Sequence, residues 1–92
     1  MVPKVMSKEL QELEEIARIA TKKALERYVV PDEYKDNLVL GTQFKEEKMI
    51  FELYLPGETP KDAIVISSAE VDRKTRKVTV QITNLNPKSL PQ

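Results

Sequence analysis

The sequence predicts an α+β fold: one N-terminal helix packed on a four-stranded antiparallel sheet, in the order α-β-β-β-β. Two observations predict it. Leu10, Leu13, Ala17, Ala20 and Ala24 recur at spacings of three and four, the period of one helix face. From Asn37 onward the period becomes two, in four runs separated by charged or proline-containing turns. No second helical pattern follows, so one helix must supply the apolar cover for the sheet.

The chain divides into a lead-in at 1–6, a single α+β domain at 7–83 and a flexible C-terminal tail at 84–92. Pro3 bars a helix in the lead-in, where Val5 and Met6 could pack on the domain edge. Ser7 is a plausible N-cap for a helix running to Tyr28, and Glu9 suits the positive end of its dipole. Ile16 and Leu25 widen the apolar face, and its alanines allow a sheet to approach closely. Glu9, Glu12, Glu14 and Glu15 precede Arg18, Lys22, Lys23 and Arg27, a sign order that complements the dipole. Glu14 and Arg18 form a favourable i,i+4 pair. Ile19 lies far from the apolar face and reads as a surface residue. The helix must end by Val30, because Pro31 disfavours helical geometry before it.

After the turn-rich segment 31–36, Asn37 to Phe44 is the first strand, with Leu38, Leu40, Thr42 and Phe44 on one side and Val39 on the other. Lys45 to Lys48 is a tight charged connection. Met49 to Leu55 is the second strand, with Met49, Phe51, Leu53 and Leu55 facing one way and Ile50, Glu52 and Tyr54 the other. Two prolines and Gly57 break the sheet at 56–60. Asp62 to Val71 is the third strand, and its Ala63–Ile66 run, apolar on both faces, suggests an internal position. Lys77 to Thr83 is the fourth, with Val78, Val80 and Ile82 inward. Asn84 to Gln92 has two prolines and no periodicity, hence a loose tail.

Ninety-two residues make one domain, and 40% apolar with 33% charged residues is a globular composition. Fifteen cationic and fifteen acidic side chains cancel, which argues against bulk attraction to nucleic acid or an anionic membrane. No histidine or cysteine is present, which removes the commonest general base, thiol chemistry and zinc–thiolate sites. Asp32-Glu33 and Glu46-Glu47 lack calcium-loop spacing, so they read as solvated turn charges. Ser67-Ser68 has no histidine to act as base. Two glycines, Gly41 and Gly57, cannot build a glycine-rich phosphate loop. No run reaches the length of a membrane span, and a soluble, cytoplasmic, non-enzymatic protein with no cofactor or metal is expected.

Two weaker features remain. Glu52 with Tyr54 could form a small polar pocket, although a cross-strand pair between Glu52 and a lysine is the simpler reading. Arg73, Lys74, Arg76 and Lys77 could touch phosphates, but stacking aromatics are missing nearby. A turn that stays soluble and guards an edge explains this 73–77 cluster as well.

The order of one helix and four antiparallel strands resembles the cystatin-like group of folds. Asn37-Leu38-Val39-Leu40-Gly41 is similar to the Gln-x-Val-x-Gly loop of the cystatin protease inhibitors, and Leu55-Pro56-Gly57 to their second loop. The resemblance implies protease inhibition, provided the Gly41 segment lies at a hairpin tip; the strand pattern puts the tip at 45–48 instead. The pattern over residues 8–83 also resembles small NTF2-like and cystatin-like proteins of the bacterial immunity type, with Arg76 where a glycine is usual in the last turn.

The expected function is binding of another protein, or of a second copy, with nucleic acid and small-molecule substrates disfavoured. The expected surface is the sheet face that the helix leaves bare, with Val39, Ile50, Glu52 and Tyr54, continued by Leu55 and Pro56.

Overall fold

The computed structural model describes residues 7–88. The expected packing of Val5 and Met6 lies outside these residues, as does the end of the tail, and the capping role of Ser7 concerns a side chain outside the described ones.

Helix α1 spans Ser7–Leu25, and the strands are β1 (Tyr28–Val29), β2 (Val39–Phe44), β3 (Lys48–Leu55), β4 (Ile64–Asp72), β5 (Val78–Ile82) and β6 (Asn86–Pro87). A single helical turn, α2 (Asp32–Lys35), and a 3₁₀ turn at Pro60–Asp62 complete the chain. Strands β2-β3-β4-β5 form one antiparallel sheet in sequence order, and β1 pairs with β6 in a separate two-stranded ribbon. The α+β class and the placement of β4 inside the sheet are as the sequence predicts.

Helix α1 stops three residues before the expected Tyr28. Just past its end, the amides of Glu26 and Arg27 donate to carbonyls three residues back, at Lys23 and Ala24. This tightened turn leads into extended Tyr28 and Val29, as suits an aromatic and a β-branched residue shortly before Pro31. Part of the segment read as a loose tail is also tied down, because Asn86–Pro87 pairs with Tyr28–Val29 and the Lys88 amide donates to the Arg27 carbonyl at 2.8 Å. Prolines are tolerated in such a short edge ribbon, so their presence did not preclude pairing.

The core lies between α1 and the sheet. Leu13 and Ala17 of the helix are buried against Met49, Phe51, Ala69 and Val71, with Leu10, Ile16, Val78 and Val80 packed around them. Each large side chain fully buried there contributes about 1.5–3 kcal/mol. Thr21 also turns inward on the same helix face. Ile19 is exposed, as expected. Arg18 pairs with Glu15, one turn back at 2.5 Å, rather than with Glu14.

The helix lies against β4 and β5, touches β3 and does not cover β2. That asymmetry positions everything discussed below.

Candidate functional site

Direct cross-strand partners share a face of an antiparallel sheet. Leu40, Thr42 and Phe44 of β2 stand opposite Leu53, Phe51 and Met49 of β3, so they lie on the helix side. The sequence pattern placed these residues together correctly. Yet Leu40 is 46% exposed and Phe44 55%, because α1 sits over the far half of the sheet. Between the helix and β2 lies an open groove of about 500 Å³. Leu40, Phe51 and Leu53 form its sheet side, and Ala17, Thr21 and Leu25 its helix side. Arg18 and Lys22 stand with Glu14 and Glu26 along it, a rim of balanced charge.

The opposite face holds the residues the sequence singled out. Val39 pairs with Tyr54, and Gly41, Glu52 and Ser68 stand in one cross-strand row, next to Gln43, Ile50, Glu70 and Thr79 in another. Val39 and Pro56 are exposed, while Ile50, Glu52, Tyr54 and Leu55 are half-buried. The structure therefore brings Val39, Ile50, Glu52 and Tyr54 onto one face, but Gln43, Ser68, Glu70, Thr79 and Gln81 make most of that face polar. Glu52 forms no ion pair among the described residues; the cross-strand pair is Lys48 with Glu70, at 3.2 Å. The Tyr54 ring lies over Gly41, where an added Cβ would meet its Cε1 at 3.2 Å. An aromatic side chain thus covers the backbone of a glycine in the edge strand.

The placement of Gly41 also bears on the loop likeness. Val39 and Gly41 are ladder residues opposite Tyr54 and Glu52, and the hairpin tip is at Glu46-Glu47, closed by a Lys45 amide donating to the Lys48 carbonyl at 2.9 Å. The tip position that an inhibitory loop requires is occupied by those glutamates.

The basic turn is largely engaged within the molecule. Arg73 grips Glu9 with two hydrogen bonds, Nε to Oε2 and Nη2 to Oε1, both 2.9 Å. Its backbone amide donates to the Glu47 carbonyl and its Nη1 to the Glu46 carbonyl. Arg76 donates from Nη2 to Glu12 at 2.8 Å and from Nη1 to the Arg73 carbonyl. The Arg73 hydrogen bonds hold the Glu9 carboxyl below the usual carboxylate range, against the opposing effect of desolvation. Amides of Thr75 and Lys74 donate to Asp72 and lower its pKa likewise. Arg76 adopts φ 66°, the left-handed region, which costs a non-glycine residue about 1–2 kcal/mol. The position does call for glycine, and the arginine's side-chain bonds offset that strain. Lys74 and Lys77 remain exposed.

The groove was not legible in the sequence, since an alternating strand reads alike whether or not a helix covers it. Thr21 was also missed, although its spacing of four from Ala17 could have found it. Ser67 Oγ is buried without a hydrogen-bond partner beside a bulge between β3 and β4. Among the described residues no group of three or more acidic side chains could hold a metal ion, and no helix is long and apolar enough to cross a membrane. No protein-family model, curated protein or solved structure matches the chain.

Proposed function

We propose that this chain is a non-enzymatic, cytoplasmic protein-binding module whose contact region is centred on β2. What supports the reading is one observation: α1 does not reach over β2, leaving Leu40 exposed on the wall of an apolar groove and Phe44 exposed further along the same strand face. Exposed apolar surface contiguous with a groove is characteristic of contact sites, whereas single exposed residues such as Ile19 are ordinary. Val39 and Tyr54 extend the region around the strand onto the opposite face. Binding of an immunity type, as the fold resemblance implies, is compatible with such a surface.

A photo-crosslinking residue installed at position 44 or at position 19 tests this in cells. The two native side chains are equally exposed, at 55%. Discrete adducts are expected from position 44 and not from position 19. Equal labelling, or none from position 44, removes the reading.

A further inference from the structure

The free edge of β2 carries a hydrogen-bonding pattern that complements itself. The Lys45 amide donates to the Lys48 carbonyl, which marks these two as a hydrogen-bonded pair. Antiparallel ladders alternate, so Gln43, Gly41 and Val39 also bond across to β3. Leu40, Thr42 and Phe44 consequently direct their amides and carbonyls outward, away from β3. The strand lies at the end of the sheet order, so these groups face no neighbouring strand of the sheet.

Edges of this kind are ordinarily guarded by lysine, proline or a bulge. Residues 38–44 contain no charge and no proline, and β2 runs against β3 without a bulge. We infer that β2 pairs antiparallel with β2 of a second copy, about a two-fold axis at Thr42. This rests on the reading of β2 as a contact region and commits it to one partner.

The register follows from the geometry. Centring the axis on Thr42 places Thr42 opposite its own counterpart and Leu40 opposite the second copy's Phe44, so every outward amide and carbonyl of the three residues is bonded. A shift of two in either direction leaves Leu40 or Phe44 unpaired. The chosen register also sets two exposed apolar side chains together on the helix side, a favourable cross-strand pair. No charged side chain of the strand is desolvated. The two copies then share one eight-stranded sheet, and their grooves adjoin.

Two measurements test the pairing. Amide exchange is read on the full chain between about 10 and about 500 µM, a span suited to a modest interface. The amides of Leu40, Thr42 and Phe44 are expected to slow by about tenfold or more with concentration, while those of Gly41 and Gln43 do not change. Separately, Thr42→Cys and Gln43→Cys are oxidised, each the sole cysteine of its chain. The axial pair stands about 5.5 Å apart between Cα atoms, within disulfide reach. Covalent dimer is expected from Thr42→Cys and not from Gln43→Cys. Thr42→Pro removes an outward amide that β3 does not use, so it keeps the fold, checked by circular dichroism, and abolishes the concentration dependence.

A protein that stays monomeric with unchanged exchange, equal crosslinking by both cysteines, or association surviving Thr42→Pro overturns the inference. Monomer combined with position-44 adducts to a different protein overturns the self-pairing alone and leaves the contact reading standing.

Discussion

The sheet has two edges, and they are treated differently. Strand β5 is packed beneath α1, and the turn leading into it is fastened to the helix by Arg73 and Arg76. Strand β2 has a similar alternation, Leu40-x-Thr42-x-Phe44 against Val78-x-Val80-x-Ile82, yet no element among the described residues covers it. One helix about as wide as two strands cannot cover four. Where it settles is decided by side chains that bury well, Leu13 and Ala17 against Ala69 and Val71, and by the pull of an ion-paired turn at its N-terminal half. The half of the sheet closest to the helix becomes the stable part, and the other half keeps apolar side chains partly in water.

The largest expected effect separates the two halves directly. Leu13→Ala should cost about 2–5 kcal/mol in urea denaturation, because it empties a fully buried site. Leu40→Ala should cost about 1 kcal/mol or less, since the side chain is already half in water. Comparable losses would mean that β2 is covered after all.

At the fastened turn, Arg76→Gly and Arg76→Ala both lose the bonds to Glu12 and to the Arg73 carbonyl, but only glycine relieves the left-handed backbone. The glycine variant should be the more stable by about 1 kcal/mol. An alanine variant that equals it would show that the strain is absent.

A pH series tests the same turn. The folded pKa values of Glu9 and Asp72 lie below their ordinary values, so their contribution to stability is present above the unfolded carboxylate range near pH 4 and is lost as pH falls through the folded values. Melting temperature should therefore hold from pH 7 to about 5 and drop below about 4. Glu9→Gln should melt lower than the parent at pH 7 and converge with it in acid. A gap that persists at the acid end would assign the loss to something other than the Arg73 pair.

The smallest effect is expected at Gly41→Ala on the uncovered edge. The new methyl meets the Tyr54 ring at 3.2 Å, and that ring is only half-buried and can shift. Stability should change by about 0.5 kcal/mol or less, while the near-ultraviolet signal of Tyr54 moves. A loss of core size would mean that Tyr54 is held rigidly over the strand.

Much of this architecture was legible in the sequence, for identifiable reasons. Val78, Val80 and Ile82 alternate with polar neighbours because one sheet face is buried, Met49 and Phe51 keep the same period of two, and the charged 45–48 segment marked the hairpin. The lateral position of the helix left no such trace, because periodicity reports a face and not a partner. The Arg73–Glu9 pair was hidden for a related reason: composition shows that charges balance without showing which ones meet. The pairing of Asn86–Pro87 was obscured because a two-residue ribbon is too short to establish a period. At the candidate site, Val39 and Tyr54 were assigned to the correct face, while Leu40 and Phe44 looked like core.

The grip of Arg73 on Glu9 joins side chains 64 positions apart. A closure over that length carries an entropy cost that one part-buried ion pair cannot meet, so the helix must already have docked on the hairpins when it forms. It is a latch set after the rate-limiting step, and it governs how quickly the domain opens rather than how quickly it closes. Stopped-flow traces of Glu9→Gln should accordingly show faster unfolding with refolding unaltered. Slowed refolding would instead place the latch within the folding nucleus.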